Sequence, residues 1–313
     1  MMSSTHALST FLLPLDTDHS HAEAVALMRC LAEILDERID KISLLYVTGG
    51  SYLSEHMANI DSRAAQVIST DLFKRLRREH LEKEIMPVME NTRTQLKETG
   101  IQAAIDIQVE DGDPAERIVA LANTGRYSSL ILERHDQGLI RKGLGDTVAA
   151  ILHRQVLPTI YLTGIRPLSC PPACCLVALD ERKNSWSALE RAAVLAAACG
   201  DSLNRIILVS VLDIAAYSAR LADGRVEAPV DNALLDRAEG LLLAQGIAKE
   251  RIVKRLLHGD PAEVLISEIH SHGAEMVFMG RRDRGKFKEL FMGSVSTRLI
   301  EQCFEQCIVM IGD

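Results

Sequence analysis

An internal repeat constrains this chain more than any other feature. Leu12-Leu13-Pro14-Leu15-Asp16 has a counterpart 164 residues later in Leu176-Val177-Ala178-Leu179-Asp180. Ile42-Ser43-Leu44-Leu45-Tyr46-Val47 matches Ile206-Ile207-Leu208-Val209-Ser210-Val211 at the same spacing. Gly112-Asp113-Pro114-Ala115-Glu116 recurs 147 residues on as Gly259-Asp260-Pro261-Ala262-Glu263, and Leu130-Ile131-Leu132 answers Val277-Phe278-Met279 at the same 147. Thr159-Ile160-Tyr161-Leu162 matches Cys307-Ile308-Val309-Met310 at 148. The first copy therefore carries 17 extra residues between its second and third blocks. Five blocks in one order, nearly in register, mark a duplication, and a repeat found first fixes the domain count.

Within each copy the apolar runs alternate with helical patterns. Val25, Leu27, Met28, Leu31, Ile34 and Leu35 recur at helical spacing after Asp16, and Leu189, Ala192, Ala193, Leu195 and Ala196 do so after Asp180. Short, continuously apolar strands are the habit of a parallel sheet buried on both faces. Right-handed strand–helix–strand crossovers then give a doubly wound layer. The expectation is α/β: two tandem doubly wound domains, each a five-stranded parallel sheet with helices on both faces. Residues 164–172, rich in Pro and Gly and without periodicity, separate a first domain (residues 1–164) from a second (residues 172–313). The extra residues of the first copy include Lys74-Arg75-Leu76-Arg77-Arg78-Glu79-His80-Leu81-Glu82-Lys83-Glu84, read as a solvated charged helix.

Composition narrows the function. The net charge of −8 argues against a nucleic-acid binder or a basic membrane-surface protein. No apolar run approaches the roughly 20 residues that span a bilayer. The apolar stretch within residues 1–15 has no Lys or Arg ahead of it, so no secretory signal is expected. Seven cysteines in a chain too long to need staples suggest a reducing, cytoplasmic setting.

In an open parallel sheet, ligands bind beyond the carboxyl ends of the strands, where the winding direction reverses. The Gly-Asp-Pro-Ala-Glu turns have a structural reading: Asp113 and Asp260 as N-caps, Pro114 and Pro261 at the first helical position, Glu116 and Glu263 closing capping boxes. Gly112 and Gly259 would let a ligand approach the backbone. The richest stretch starts at Met279-Gly280-Arg281-Arg282-Asp283-Arg284-Gly285 and ends at Gly293-Ser294-Val295-Ser296, ahead of the amphipathic Leu299, Ile300, Cys303 and Phe304. Free N–H groups at that helix start, the Ser294 and Ser296 hydroxyls and the nearby arginines make an anion site; Ser294 alone would read as an N-cap. In the first copy Glu133 stands in place of Gly280 and Asp146 in place of Ser294. Carboxylates there repel phosphate, so the first half is expected to be structural or to bind something other than a nucleotide.

These residues resemble the universal stress protein family. The resemblance rests on the stretch from Met279-Gly280 to Gly293-Ser294-Val295-Ser296, the Asp ending the first strand and the closing Ile308-Val309-Met310-Ile311, and it covers both halves, as in a tandem member. It implies the adenine-nucleotide alpha-hydrolase-like fold and a stress-response module that binds ATP, ADP or AMP, with or without magnesium, rather than an efficient enzyme. It implies that Ala178, Leu179 and Asp180 touch the adenosine and that the Val211 backbone bonds the adenine. Gly259 matches the glycine after the third strand, Met279 and Gly280 the ribose edge, and Arg282, Gly293, Ser294, Val295 and Ser296 the phosphate contacts. The family signature is Gly, two residues, Gly, nine residues, then Gly-Ser or Gly-Thr. Asp283 occupies the second glycine position, a departure that bears on triphosphate more than on adenosine binding. Family members pair their last strands across a two-fold axis; here the two halves can do so within one chain, with a homodimer as a further option.

Other signals are weaker. Gly138-Leu139-Ile140-Arg141-Lys142-Gly143 lacks the Lys-Ser/Thr of a phosphate loop. Cys170, Cys174 and Cys175 lack the paired spacing of a zinc site. His19 with His21, and His270 with His272, have no partner constellation. Two alternatives stay open: a slow ATPase or autophosphorylating protein with Ser294 or Ser296 as acceptor, and a scaffold for a protein or another small molecule.

Overall fold

The computed structural model describes residues 8–17, 20–48, 71–134, 144–214, 217–218, 223, 232–281 and 293–312. The first half contributes strands β1 (Thr10–Leu15), β2 (Lys41–Thr48), β3 (Ala104–Asp111), β4 (Ser129–Leu132) and β5 (Thr159–Leu162). Its helices are α1 (Ala22–Leu35), α2 (Asp71–His80), α3 (Met86–Glu98), α4 (Pro114–Ala122) and α5 (Asp146–Leu152), with a π-helical turn at Leu81–Ile85 joining α2 to α3. The second half contributes β6 (Cys174–Ala178), β7 (Arg205–Leu212), β8 (Ile252–His258), β9 (Met276–Gly280) and β10 (Cys307–Ile311). Its helices are α6 (Lys183–Cys199), α7 (Ala233–Ala244), α8 (Pro261–His272) and α9 (Ser294–Gln302).

All ten strands form one sheet in the order β3-β2-β1-β4-β5-β10-β9-β6-β7-β8. Pairing is parallel within each half and antiparallel only at the centre, where Ile160, Tyr161 and Leu162 of β5 face Met310, Val309 and Ile308 of β10. The expected five parallel strands per half are present, and the last strands pair inside the chain.

The central strands are continuously buried, as expected, but β3 and β8 are not. They form the outer edges, and their sequences, AIDIQVED and IVKRLLH, place charges along them. Lys41 pairs with Asp106 at 2.8 Å, and Lys254 reaches Asp236 at 2.7 Å and Glu239 at 2.6 Å. Charged side chains on an edge oppose the addition of a further strand. The charged segment around Lys74 is helical, and its Arg77 bonds Asp111 at the end of β3 at 2.6 Å.

Apolar residues cover both faces of the sheet, and each core runs across the centre. One unites Met28 and Leu31 of α1 with Leu189 and Leu195 of α6 and with Tyr161 and Val309 in the central strands. The other joins Ile118 of α4 and Ile151 of α5 to Leu265 of α8 and Leu299 of α9.

Two buried arginines bridge the seam in opposite senses. Arg134, just after β4, donates from Nη1 to the Ile300 carbonyl at 2.7 Å, and Arg281, just after β9, donates from Nη2 to the Val156 carbonyl at 3.3 Å. They are only 6% and 3% exposed. Burial pulls the Arg134 pKa down to about 10, and its Nε and Nη2 lack hydrogen-bond partners among the described residues. Arg281 was expected to supply charge to a phosphate site; it turns instead into the seam.

At Gly164, two residues past β5, the backbones of the two halves approach closely. A Cβ there would lie 2.1 Å from the Glu305 carbonyl oxygen, and the Ile165 N–H donates to the Phe304 carbonyl at 2.9 Å. Backbone on both sides leaves nothing to yield. Gly164→Ala should therefore lower stability by about 1–3 kcal/mol, the usual cost of overpacking, read as a lower midpoint in urea unfolding.

Candidate functional site

In each half the winding direction reverses between the first and fourth strands, β1/β4 and β6/β9. The residues just past those strands define the two candidate sites.

In the second half, Ala178 ends β6 and the Leu179 N–H donates to the Val209 carbonyl at 2.8 Å. Asp180 is exposed; its Oδ1 accepts from the Arg182 N–H at 2.9 Å, a tight turn that opens α6. Val211, partly exposed near the end of β7, faces Leu257 in β8. Gly259 has φ of +138°, a conformation that favours glycine, and its N–H donates to the Leu212 carbonyl at 3.1 Å. Gly112 holds the same turn in the first half with φ of +131°. Met279 is buried beside Ala178 and Met310, and Gly280 pairs with Ile311.

The reason for glycine at position 280 differs from the expected one. A Cβ there would sit 2.6 Å from the Asn184 carbonyl carbon and from the Ser185 nitrogen. The close approach it permits is that of the first turn of α6, which Asn184 Nδ2 fastens by donating to the Arg281 carbonyl at 2.5 Å. Ser185 completes the turn: its Oγ donates to the Asp180 carbonyl at 2.6 Å and accepts from the Asp180 N–H at 3.2 Å.

The start of α9 does not follow the plain N-cap reading of Ser294. Gly293 is the N-cap and Ser294 the first helical residue, so Ser294 does not cap. Among the described residues no side chain caps the first turn. Ser294 is exposed and Ser296 is buried. Arg298, which sequence reasoning missed, ties this helix to the start of α8. It donates to Asp260 Oδ1 at 2.7 Å and to Glu263 Oε1 at 3.1 Å. Asp260 caps α8 as expected, accepting from the Glu263 N–H at 2.9 Å; that bond and Arg298 hold its carboxyl below the usual range. Glu263 does not close a capping box, because its carboxylate goes to Arg298. Arg282, with Asp283, Arg284 and Gly285, lies outside the described residues.

The first half fills the equivalent place with its own side chains. Glu133 is 6% exposed and directed at the start of α1. Its Oε1 accepts from the Glu23 and Ala24 N–H groups at 3.2 and 3.3 Å, and its Oε2 accepts from His21 Nδ1 at 2.8 Å. His21 Nε2 lies 2.9 Å from the Asp16 carbonyl oxygen and 3.0 Å from the Asp16 nitrogen, so it bonds that backbone in either protonation state. Burial opposes a charge on His21, but Glu133 and the Asp16 carbonyl outweigh it and raise its pKa. His21 occupies the position of Ser185 in the repeat, and Glu133 that of Gly280. A histidine–carboxylate pair in one half thus stands where a helical turn lies on a glycine in the other. At the last helix, Gly145 is the N-cap and Asp146 the first residue, matching Gly293 and Ser294.

Among the described residues no helix is long and apolar enough to cross a membrane, and no cluster of His, Cys, Asp and Glu can hold a metal ion.

A family model described as the universal stress protein family matches residues 175–310. No curated protein matches the chain. Among solved structures, a universal stress protein from Archaeoglobus fulgidus is similar over 97% of this chain and 98% of its own, with a TM-score of 0.69 and 18% identity. A functionally unknown protein from Pseudomonas aeruginosa is similar over 99% and 94%, with a TM-score of 0.60 and 12% identity. At these identities the structural likeness concerns the fold, and it extends through both halves. The two five-stranded halves share one topology, and residues 175–310 are similar to the universal stress protein family.

Proposed function

We propose that the second half binds an adenine nucleotide, ATP, ADP or AMP, at the β6/β9 reversal and acts as a regulatory binding module. The adenosine lies by Ala178, Leu179, Asp180 and Val211, near Gly259 and Met279, and the phosphates meet Gly293, Ser294, Val295 and Arg282. The observation that carries this reading is the start of α9. Among the described residues no side chain caps its first turn, its first residue is a neutral, exposed serine, and it stands beyond the carboxyl ends of the strands. Such a helix start presents N–H donors and the positive end of the helix dipole to an anion. Gly280 supports the site by seating α6 and stands at the ribose edge. Burial of Ser296 leaves Ser294 as the accessible hydroxyl of the pair and favours binding over phosphoryl transfer to Ser296.

Calorimetric titration of protein freed of carried-over ligand should show one nucleotide per chain. The absence of any heat at millimolar ATP and ADP would overturn the proposal. Gly293→Val should abolish binding, whereas Gly145→Val should leave the stoichiometry at one. Ser294→Asp, which copies Asp146, should weaken binding by about tenfold or more, since each factor of ten is only about 1.4 kcal/mol.

The first half is proposed to be structural at its own reversal, because Glu133 already supplies the anion there. His21 adds a pH dependence. A histidine whose folded pKa is raised stabilises fully below its unfolded value of 6.5, and that contribution is lost as pH rises through the raised value. Thermal melts of the natural chain should therefore fall as pH climbs from 6.5 upward through the raised histidine pKa. His21→Ser should flatten that slope. Glu133→Gln should cost about 1–3 kcal/mol near neutral pH, because it leaves buried donors poorly matched.

A further inference from the structure

Three cysteines from separate elements meet beside the segment that joins the halves. Cys30 lies on α1, Cys199 ends α6, and Cys170 lies in residues 163–173 between β5 and β6. Cys30 is buried at 2% exposure, whereas Cys170 is exposed. The Cys30 and Cys170 thiols are near enough to act on each other's titration. Cys30 Sγ also donates to the Ser169 carbonyl at 3.8 Å, and Cys170 Sγ donates to Glu33 Oε2, on the same helix, at 3.6 Å. The segment is anchored from the other side by Glu275. That carboxylate accepts from the Ser169 hydroxyl at 2.7 Å, the Ser169 N–H at 3.3 Å and the Ala173 N–H at 2.6 Å. The segment that carries Cys170 is thus held against α1 on one side and by Glu275 on the other.

We propose that Cys30 and Cys170 form a reversible disulfide when the protein meets a hydroperoxide, making the junction between the halves an oxidation site. The accessible Cys170 sulfur, as thiolate, attacks the distal oxygen of the hydroperoxide. The O–O bond breaks, the alcohol leaves with the Cys170 proton, and Cys170 becomes a sulfenic acid. The Cys30 sulfur then attacks the Cys170 sulfur. The S–O bond breaks, and the hydroxide leaves as water with the Cys30 proton. Two thiols are oxidised and one hydroperoxide is reduced to alcohol and water. An added dithiol restores both thiols by exchange.

The surroundings set the pace and the selectivity. Burial pushes the Cys170 thiol up, only partly offset by its bond from Cys30, so the thiolate is scarce at neutral pH and oxidation quickens as pH rises. Burial pushes the thiols of Cys174 and Cys303 to about 11 and that of Cys307 to about 12, and it pushes the Cys30 thiol well up too, so Cys30 is singled out by its place beside the exposed Cys170 rather than by acidity. Cys199 is 7% exposed, with its thiol also at about 11. Once formed, the bridge fastens the joining segment to α1.

The test is peptide mapping of the full chain, without reduction, after exposure to hydrogen peroxide and removal of the excess. The expected product is a Cys30–Cys170 linked peptide pair, a loss of two hydrogens in intact mass, and full reversal by dithiothreitol. Oxidised protein should melt at a higher temperature than reduced protein. Cys170→Ser, at an exposed position, should fold normally and abolish the link, as should Cys30→Ser; Cys199→Ser should retain it. A Cys170–Cys199 bridge, sulfinic or sulfonic acid on Cys170 with Cys30 intact, or no change in mass would each overturn the proposal.

Discussion

The antiparallel contact between β5 and β10 governs the rest of the molecule. Each half, taken alone, would expose its fifth strand, with a row of unpaired backbone groups and a fully buried-type sequence, TIYL or CIVMI. Joining the two edges satisfies both at once. It also makes the cores continuous, so that α1 packs against α6 and neither half ends at its own last strand. Arg134 and Arg281 then donate across the join to carbonyls of the opposite half. A buried guanidinium is costly to desolvate, and its hydrogen bonds recover only part of that cost. Their contribution is best understood as fixing how the halves meet rather than as raw stability.

Away from the join the copies have diverged in a way that conserves space. At one reversal a carboxylate and an imidazole fill the volume beside the strand end; at the other the strand ends in glycine and the neighbouring helix begins one turn earlier. Neither exchange works singly. A Glu at position 280 would collide with Asn184 and Ser185. A glycine at 133 would leave His21 and the amides of Glu23 and Ala24 without their acceptor. At the first residue of the helix that follows each fourth strand, Asp146 in one half stands against Ser294 in the other, and a carboxylate at a helix N-terminus disfavours a second anion there.

Much of this was legible in the sequence because it depends on periodicity. The repeat gave the number of strands in each half and their parallel sense, and the Gly-Asp-Pro-Ala-Glu blocks gave the start of α4 and α8 with their Asp caps. What escaped notice depends on contacts distant along the chain. Arg281 looked like a phosphate ligand because it follows a strand end; only the fold shows that the opposite half offers it a carbonyl. Gly280 looked like a place for a ligand, whereas its partner is a helix turn almost a hundred residues earlier. Arg298 carried no motif at all, and its role emerges only when the starts of α8 and α9 stand side by side. The polar alternation of β3 and β8 was readable in principle, since only the outermost strands of such a sheet tolerate it.

Covalent continuity between the halves has a consequence for what mutation can do. In an assembly of two identical subunits every substitution appears twice, so a cavity lost in one is lost in both. A single polypeptide is free of that symmetry: one lobe can be sealed while its sibling stays open, and dilution never separates them. Here the pairing surface is present at a fixed effective concentration set by the joining segment. The folded state should accordingly be as secure in a sparsely expressed protein as in an abundant one.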